Sequence, residues 1–478
     1  MHPIARLDHR YVWHPFTQMR DWLREEPCIP VSGRGAVLRD VRGRRYLDAN
    51  ASIWTNLHGH AHPGINAALR RQLARVAHVS ALGLANEPAS RLAARLVRAA
   101  NPRRSLQPRL QKVFYSDDGS TAIEVALKMA YEVVRRTRGP RSRPRFLSLQ
   151  HAYHGDTVGA ASLGHIARFR GAFSGLQFRT DAVMSPYCYR CPHNRAAPAR
   201  ADARDTRSCR WECVDAVATR LDAARRRGAP YAGFVVEPGI QGAAGMIAQP
   251  EGWLRRTADL VRDHGALLVA DEVMTGFGRA CRAIPRSPGR PRLFAIHEAS
   301  VQPDFLCLAK GMTGGYLPMA ATLTTQAVFE AFLGDYTEFK TFFHGHSFTG
   351  NPLGAAAALA SLDLLESRAS LEDRARLEAA LRSELPALWS LPAVGDIRQA
   401  GTVVGVELVR DWRRRTPWDL RERAGIRVCE AMARRGVLTR PIGNVVVLMP
   451  PYCTTPRQVR TVVNALGGAI EEVLGESA

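Results

Sequence analysis

Lysine is almost missing from this chain of 478 residues. Only Lys112, Lys128, Lys310 and Lys340 carry a side-chain amine, and the rest of the 66 Lys+Arg residues are arginine. A lysine kept against such a bias invites a search for chemistry closed to a guanidinium. An amine can shed its proton and attack a carbonyl, whereas arginine stays protonated. Long apolar runs are missing as well: none approaches the ~20 residues of a membrane span, which excludes a spanning helix. The first residues, "MHPIARLDHRYVWHPFTQM", have neither an uninterrupted apolar core nor a small-residue cleavage site. They do not read as a secretory signal, and the cytoplasm is the expected compartment. Nine cysteines are too few for a disulfide scaffold of this length.

What is plentiful is positive charge, at +22. The arginines are scattered, with short clusters such as Arg225 to Arg227 and Arg413 to Arg415, and no recognition motif or aromatic-basic interleaving accompanies them. A bias toward arginine accounts for the excess better than a nucleic-acid face, and no nucleic-acid partner is expected. Hydrophobic content of 46% and charged content of 23% suit a globular chain of two or three domains, or one large domain with an appendage. Four cysteines do cluster, in "CYRCP" (Cys188, Cys191) and "CRWEC" (Cys209, Cys213), with His193 beside them. The spacing is that of metal ligands. An inserted surface loop with reduced thiols or an incidental disulfide explains it as readily, so no metal is assigned.

"GAVLRDVRGRRYLDANAS" reads as two short strands around a turn at Gly43. "INAALRRQLARVAHV" and "SRLAARLVRAA" have helical spacing of apolar residues. From Val113 to about Thr325, apolar runs such as "KVFYS", "RFLSL", "GFVVEP", "ALLVADEV" and "DFLCLAKG" alternate with amphipathic helices such as "TAIEVALKMAYEVVRR". That alternation predicts an α/β fold with a mostly parallel sheet covered on both faces. Past Asn351 a long Ala/Leu helix precedes strand-like "TVVGVELV" and "NVVVLMPP", a smaller α+β domain shared with the N-terminal segment. The expected division is 1–65 and 346–478 for the small domain and 66–345 for the large one. Pro/Arg-rich stretches near Arg141 and Arg286 read as loops.

Ligands of open parallel sheets sit at the carboxyl ends of the strands, so the residues just past each apolar run carry the information. After "VFYS", Gly119 and Ser120 open a helix whose first N–H groups and dipole suit a phosphate. An ordinary helix start, with Thr121 and Glu124 as a capping box, fits the same letters. After "RFLSLQ", Tyr153 offers a ring to stack on a planar ligand and Asp156 a carboxylate; a plain polar loop is the alternative. Glu237 follows "FVV", and Asp271 and Glu272 follow "LLVA". An acid closing a buried strand is expensive unless it meets a cation, and a protonated pyridine nitrogen would serve. Lys310 follows "DFLCLA", with glycines beyond it. Lys340, in the polar "YTEFK", reads as a solvated surface lysine. Phosphate cradle, stacking tyrosine, strand-end aspartate and strand-end lysine together describe a pocket for pyridoxal 5'-phosphate.

At this point the chain resembles the class III aminotransferases of fold type I, over nearly its whole length from about Trp13 to Pro451. "ADEVMTGFGR", leading through Asp304 to Lys310, and "HGHSFTGNP" carry the resemblance most specifically. Within the class, "WHPFTQM", "SIWTNLHGHAHP", "HAYHGDT", "KGMTGGYLP" and "LTRPIGNVVVLMPPY" are similar to the branch that turns 8-amino-7-oxononanoate into 7,8-diaminononanoate in biotin synthesis. The resemblance implies that Lys310 attaches the cofactor and acts as general base, and that Asp271 holds the ring nitrogen protonated. It implies that Gly119 and Ser120 take the phosphate, Tyr153 covers the ring, and Ser347, next to His346, reaches the phosphate of the other subunit of a homodimer. Trp54 and Gly345 would line the substrate cleft, and Arg440 would pair with the substrate carboxylate. S-adenosylmethionine is the usual amino donor in that branch. Phe16 and Ile53, however, stand where many members have tyrosine and a second tryptophan. A lysine-using branch carries phenylalanine and an aliphatic residue there, so lysine is the other candidate donor. A class III transaminase of ω-amino acids or diamines, with pyruvate or 2-oxoglutarate, is the nearer rival; a non-catalytic arginine-rich binding protein is the more distant one.

Overall fold

The computed structural model describes residues 1–101, 110–139, 141–285 and 291–475. The Pro/Arg-rich stretch around Arg286 lies outside them. At the centre is a seven-stranded sheet: β1 Leu110–Ser116, β2 Phe146–Leu149, β3 Asp181–Val183, β4 Gly233–Val236, β5 Leu267–Asp271, β6 Phe305–Leu308 and β7 Ala320–Thr325. The spatial order is β1-β7-β6-β5-β4-β2-β3. From β3 to β6 every pairing is parallel, and β7 alone runs antiparallel to both its neighbours.

Alternate residues along the central strands enter different cores, which is why these runs carry no polar alternation. Val235, Val269 and Phe305 pack with Ile123, Ala126 and Ala130 of the helix Gly119–Arg138. Phe234, Val236 and Leu268 face the other way, onto Val217 and Leu221 of Glu212–Arg226 and onto Trp253 and Val261 of Trp253–Asp263. The sheet is therefore sandwiched between helices, and its strand ends share one rim.

The N-terminal strands Pro30–Arg34, Val37–Asp40 and Arg45–Asp48 form a meander, with Gly43 at φ +81° in the turn between the last two. Its last strand pairs in parallel with Val437–Leu438, so the two ends of the chain meet in one sheet. A separate antiparallel sheet holds Val394–Ala400, Val403–Asp411, Val445–Leu448 and Pro441–Ile442. The Ala/Leu helix Pro352–Glu366 is buried between these parts and backs the turn Lys310–Thr313. Among the described residues no helix is long and apolar enough to cross a membrane.

Candidate active site

Five strands deliver side chains to one cavity of 480 Å³ at the sheet's carboxyl rim. Gly119 and Ser120 come from the end of β1, and Tyr153 and His154 from the end of β2. Glu237 follows β4, Asp271 closes β5, and Lys310 follows β6. Trp54 lines the cavity from outside the sheet, with the Lys310 Nζ 5.2 Å from its ring centroid. Residues Ala51 to Trp54, which present that ring, all have positive φ, from 45° to 74°, although none is glycine. Lys310 itself has φ +30°. Backbone held in such sparsely populated regions costs of order 1–3 kcal/mol per residue and gathers where a side chain must be aimed.

The acid at the end of β5 has a buried partner, and it is a histidine. His154 Nδ1 lies 2.7 Å from Asp271 Oδ2, and both side chains are buried. The other oxygen, Oδ1, accepts the Val273 N–H at 3.1 Å. Burial alone would depress the His154 pKa, but the hydrogen bond to Asp271 and its charge, with Glu237 behind, raise it above the ordinary value. Glu237 accepts N–H bonds from Gly242 and Tyr153, yet burial still pushes its carboxyl up to about 7. Glu272 points away, onto Thr275 and the N–H groups of Ala295 and Ile296, and burial pushes it up to about 8. Burial also lowers the Lys310 pKa, against the pull of Asp271 and Glu237, which favours the neutral amine a nucleophile or base requires.

Gly119 and Ser120 are packed against the neighbouring loop. Asp156 donates its N–H to Ser120 Oγ at 3.2 Å and accepts from the Tyr153 hydroxyl at 2.7 Å. Gly155 sits at φ +125°, where an added Cβ would come within 2.1 Å of Ser120 Oγ. The helix start differs from the sequence reading in one detail. Asp118, not Thr121, is the N-cap: its side chain accepts the Thr121 N–H, and the Thr121 hydroxyl closes the box on the Asp118 N–H. Glu124 instead accepts the Thr157 hydroxyl and the Ala160 N–H, tying the helix to the loop after β2.

Lys310, Asp271, Tyr153, Gly119, Ser120 and Trp54 thus line one cavity. Five other candidates lie outside its lining. Phe16 is exposed and edge-on to Phe169, whose ring in turn meets Tyr153. His346 Nδ1 is 3.1 Å from Asp117, a cavity residue, while Gly345, Ser347 and Arg440 are exposed. His154 was the residue that sequence reasoning missed; the demand of Asp271 for a cation and the place of His154 beside Tyr153 were the available signals. The other lysines are accounted for elsewhere: Lys340 pairs with Glu338, Lys128 with His344, and Lys112 lies over the Phe329 ring. All four clustered cysteines are free, and among the described residues no group of three or more His, Cys, Asp or Glu is arranged to hold a metal.

Comparison with known proteins meets this geometry. The aminotransferase class-III family matches residues 20–470. The chain is a class III aminotransferase. It is 48% identical over 476 residues to the adenosylmethionine-8-amino-7-oxononanoate aminotransferase of Nitratidesulfovibrio vulgaris, covering 99% of this chain and 83% of that one. Among solved structures, the enzyme of that same name from Methanocaldococcus jannaschii superposes with a TM-score of 0.86 at 36% identity, covering 98% and 99% of the two chains. An (S)-enantioselective omega-transaminase from Thermomicrobium roseum also reaches 0.86, at 29% identity and 98% of each chain. The fold of this aminotransferase is fold type I, as its mixed sheet between helices requires.

Proposed function

We propose that this aminotransferase uses pyridoxal 5'-phosphate to convert 8-amino-7-oxononanoate to 7,8-diaminononanoate in biotin synthesis, in the cytoplasm and as a homodimer. The observation that carries the reading is the meeting of an amine of lowered pKa, a buried histidine–carboxylate pair and a glycine-bounded anion cradle in one cavity. These residues fit the cofactor. Gly119 and Ser120 would hold its phosphate, Tyr153 would cover its ring, Asp271 would meet the ring nitrogen and Lys310 would attach it. When bound, the cofactor supplies an electron sink and carries the amino group from donor to acceptor.

The protein's part is proton handling and orientation. Lys310 Nζ takes a proton from the donor carbon and returns one on the other side of the exchange, a role its lowered pKa favours. His154 holds the Asp271 carboxylate in orientation as an acceptor. Gly345, His346 and Ser347 lie on the exposed "HGHSFTGNP" segment, where Ser347 can serve the phosphate site of a second copy of the chain.

A second reading, an ω-amino acid or diamine transaminase using pyruvate or 2-oxoglutarate, draws support from the likeness to the Thermomicrobium roseum enzyme. The much higher identity to the Nitratidesulfovibrio vulgaris relative favours the first. The test is to mix the cofactor-loaded enzyme with S-adenosylmethionine and, separately, with lysine, follow the visible cofactor band, and then add 8-amino-7-oxononanoate. One donor is expected to bleach the band and the oxo acid to restore it. Restoration by pyruvate or 2-oxoglutarate and not by 8-amino-7-oxononanoate would replace the first reading with the second.

A further inference from the structure

Trp54 reaches the Lys310 cavity from one turn of left-handed helix. The turn, Ala51–Trp54, follows the strand Arg45–Asp48, and its φ values are 45°, 50°, 65° and 74°. The Trp54 N–H donates to the Asn50 carbonyl at 2.9 Å and the Thr55 N–H to the Ala51 carbonyl at 3.0 Å. A left-handed helix presses each Cβ toward the following carbonyl, so L-residues avoid it, and a β-branched residue such as Ile53 avoids it most. Four successive residues with side chains keep that conformation only where their surroundings impose it.

Asp48 supplies the constraint. Its carboxylate is buried at the end of the strand. Oδ1 accepts the N–H of Asn50 at 3.1 Å and of Ser52 at 3.3 Å, and Oδ2 accepts the Ser52 hydroxyl at 3.3 Å. His60 Nε2 lies 2.9 Å from the same Oδ2, and its Nδ1 lies 3.0 Å from the Asn56 amide. Burial would raise the Asp48 pKa, but the bonds from His60, Asn50 and Ser52 hold it below its ordinary value. Asn56 is in turn pressed against the cavity residue Gly315, where an added Cβ would come within 1.9 Å of Asn56 Oδ1. At the far end of the turn, buried Asn50 accepts the Trp54 indole N–H at 2.9 Å. The ring is thereby pinned at its edge while its face meets the Lys310 amine.

We propose that Asp48 is a positioning residue of the amino-transfer reaction. It fixes the left-handed turn that holds Trp54 over the Lys310 amine, His60 buttresses the carboxylate, and the arrangement sets substrate affinity. Asp48 does not itself line the cavity, so it acts through the turn. The test measures kcat and KM for whichever of S-adenosylmethionine and lysine bleaches the wild-type cofactor band, in D48N, D48A, N50A and D48A/A51G. The donor assay rests on the function proposed above. Losing every acceptor at residue 48 should raise KM about ten- to a hundredfold in D48A, with kcat within about threefold of wild type. D48N keeps one acceptor oxygen and should lose less. N50A frees only the indole and should raise KM about three- to tenfold. Glycine adopts positive φ without strain, so A51G should recover part of the D48A loss. Acrylamide quenching of Trp54, read as the difference between each variant and its W54F counterpart, should rise in D48A and N50A and needs no substrate. Melting temperatures verify folding, and D48N and N50A carry the test where D48A does not fold. The proposal is overturned if these variants bind donor and quench as wild type does. It is also overturned if A51G deepens the D48A loss, which would make Asp48 a determinant of folding alone. A wild type that neither donor bleaches removes the donor reading above, and the quenching result still decides this one.

Discussion

Replacing Arg398 with methionine gives the sharpest quantitative test of the structure. Arg398 is 2% exposed and holds Asp396 at 2.9 Å and Glu407 at 2.8 Å through one nitrogen. Its Nε donates to the Met246 carbonyl at 2.7 Å, and the same group reaches the Gly245 carbonyl. Removing the cation strands buried Asp396, while Glu407 keeps Arg190, and breaking a buried pair costs about 3–5 kcal/mol. A chain of this length has an unfolding entropy of about 1 kcal/mol/K, so the melting temperature should drop by about 3–5 °C at pH 8. Even with Arg398 present, burial holds the Asp396 carboxyl up at about 6, above its ordinary 3.8. The folded protein therefore keeps a proton there that the unfolded chain releases, and stability falls as pH rises from about 4 to 6. In R398M Asp396 loses its counter-ion and its pKa rises further, while Glu407 keeps Arg190. The penalty should then be full at pH 8 and at most about half as large at pH 5, where Asp396 can protonate. Differential scanning calorimetry at the two pH values decides it. Equal losses at pH 5 and pH 8, or none at pH 8, would refute the reasoning. Because Gly245 and Met246 follow Ala243, which lines the Lys310 cavity, R398M should also raise KM for the acceptor.

Three further outcomes follow from the same geometry. Lys310→Ala should lower turnover by about 10⁴-fold or more, as expected for losing both the attachment point and the base; a variant keeping a tenth of the activity would remove Lys310 from the chemistry. Gly155→Ala forces a Cβ into Ser120 at a φ that costs about 1–3 kcal/mol, so the variant should lose cofactor on dialysis that leaves wild type yellow, read by the visible band. Burial pushes the Cys188 and Cys213 thiols up to about 12, so a thiol reagent at pH 8 should modify exposed Cys28 first and reach those two only on unfolding. Rapid labelling of all nine cysteines would contradict their burial.

The sequence carried the sheet because strands buried on both faces must be written as short apolar runs, and each run ends where a side chain is delivered to the cavity. That rule located Asp271, Glu237, Tyr153 and Lys310 without a structure. It did not reveal His154, because an imidazole beside a stacking tyrosine looks like any loop residue until the neighbouring strand brings Asp271 within 2.7 Å. The helix cap was misread for a related reason. Both "DGST" and "TAIE" satisfy a capping pattern, and only the turn leaving β1 chooses Asp118.

The isolation of Lys310 also gives the protein a built-in peptide map. Digestion with a protease that cuts only after lysine must yield five fragments from four sites, at residues 112, 128, 310 and 340. Any group fixed covalently to the cavity amine silences the cut after Lys310 and joins 129–310 to 311–340, while the three lysines outside the cavity still cleave. Occupancy of the active site can therefore be counted by mass spectrometry from one missing cut, in a mixture and without a chromophore.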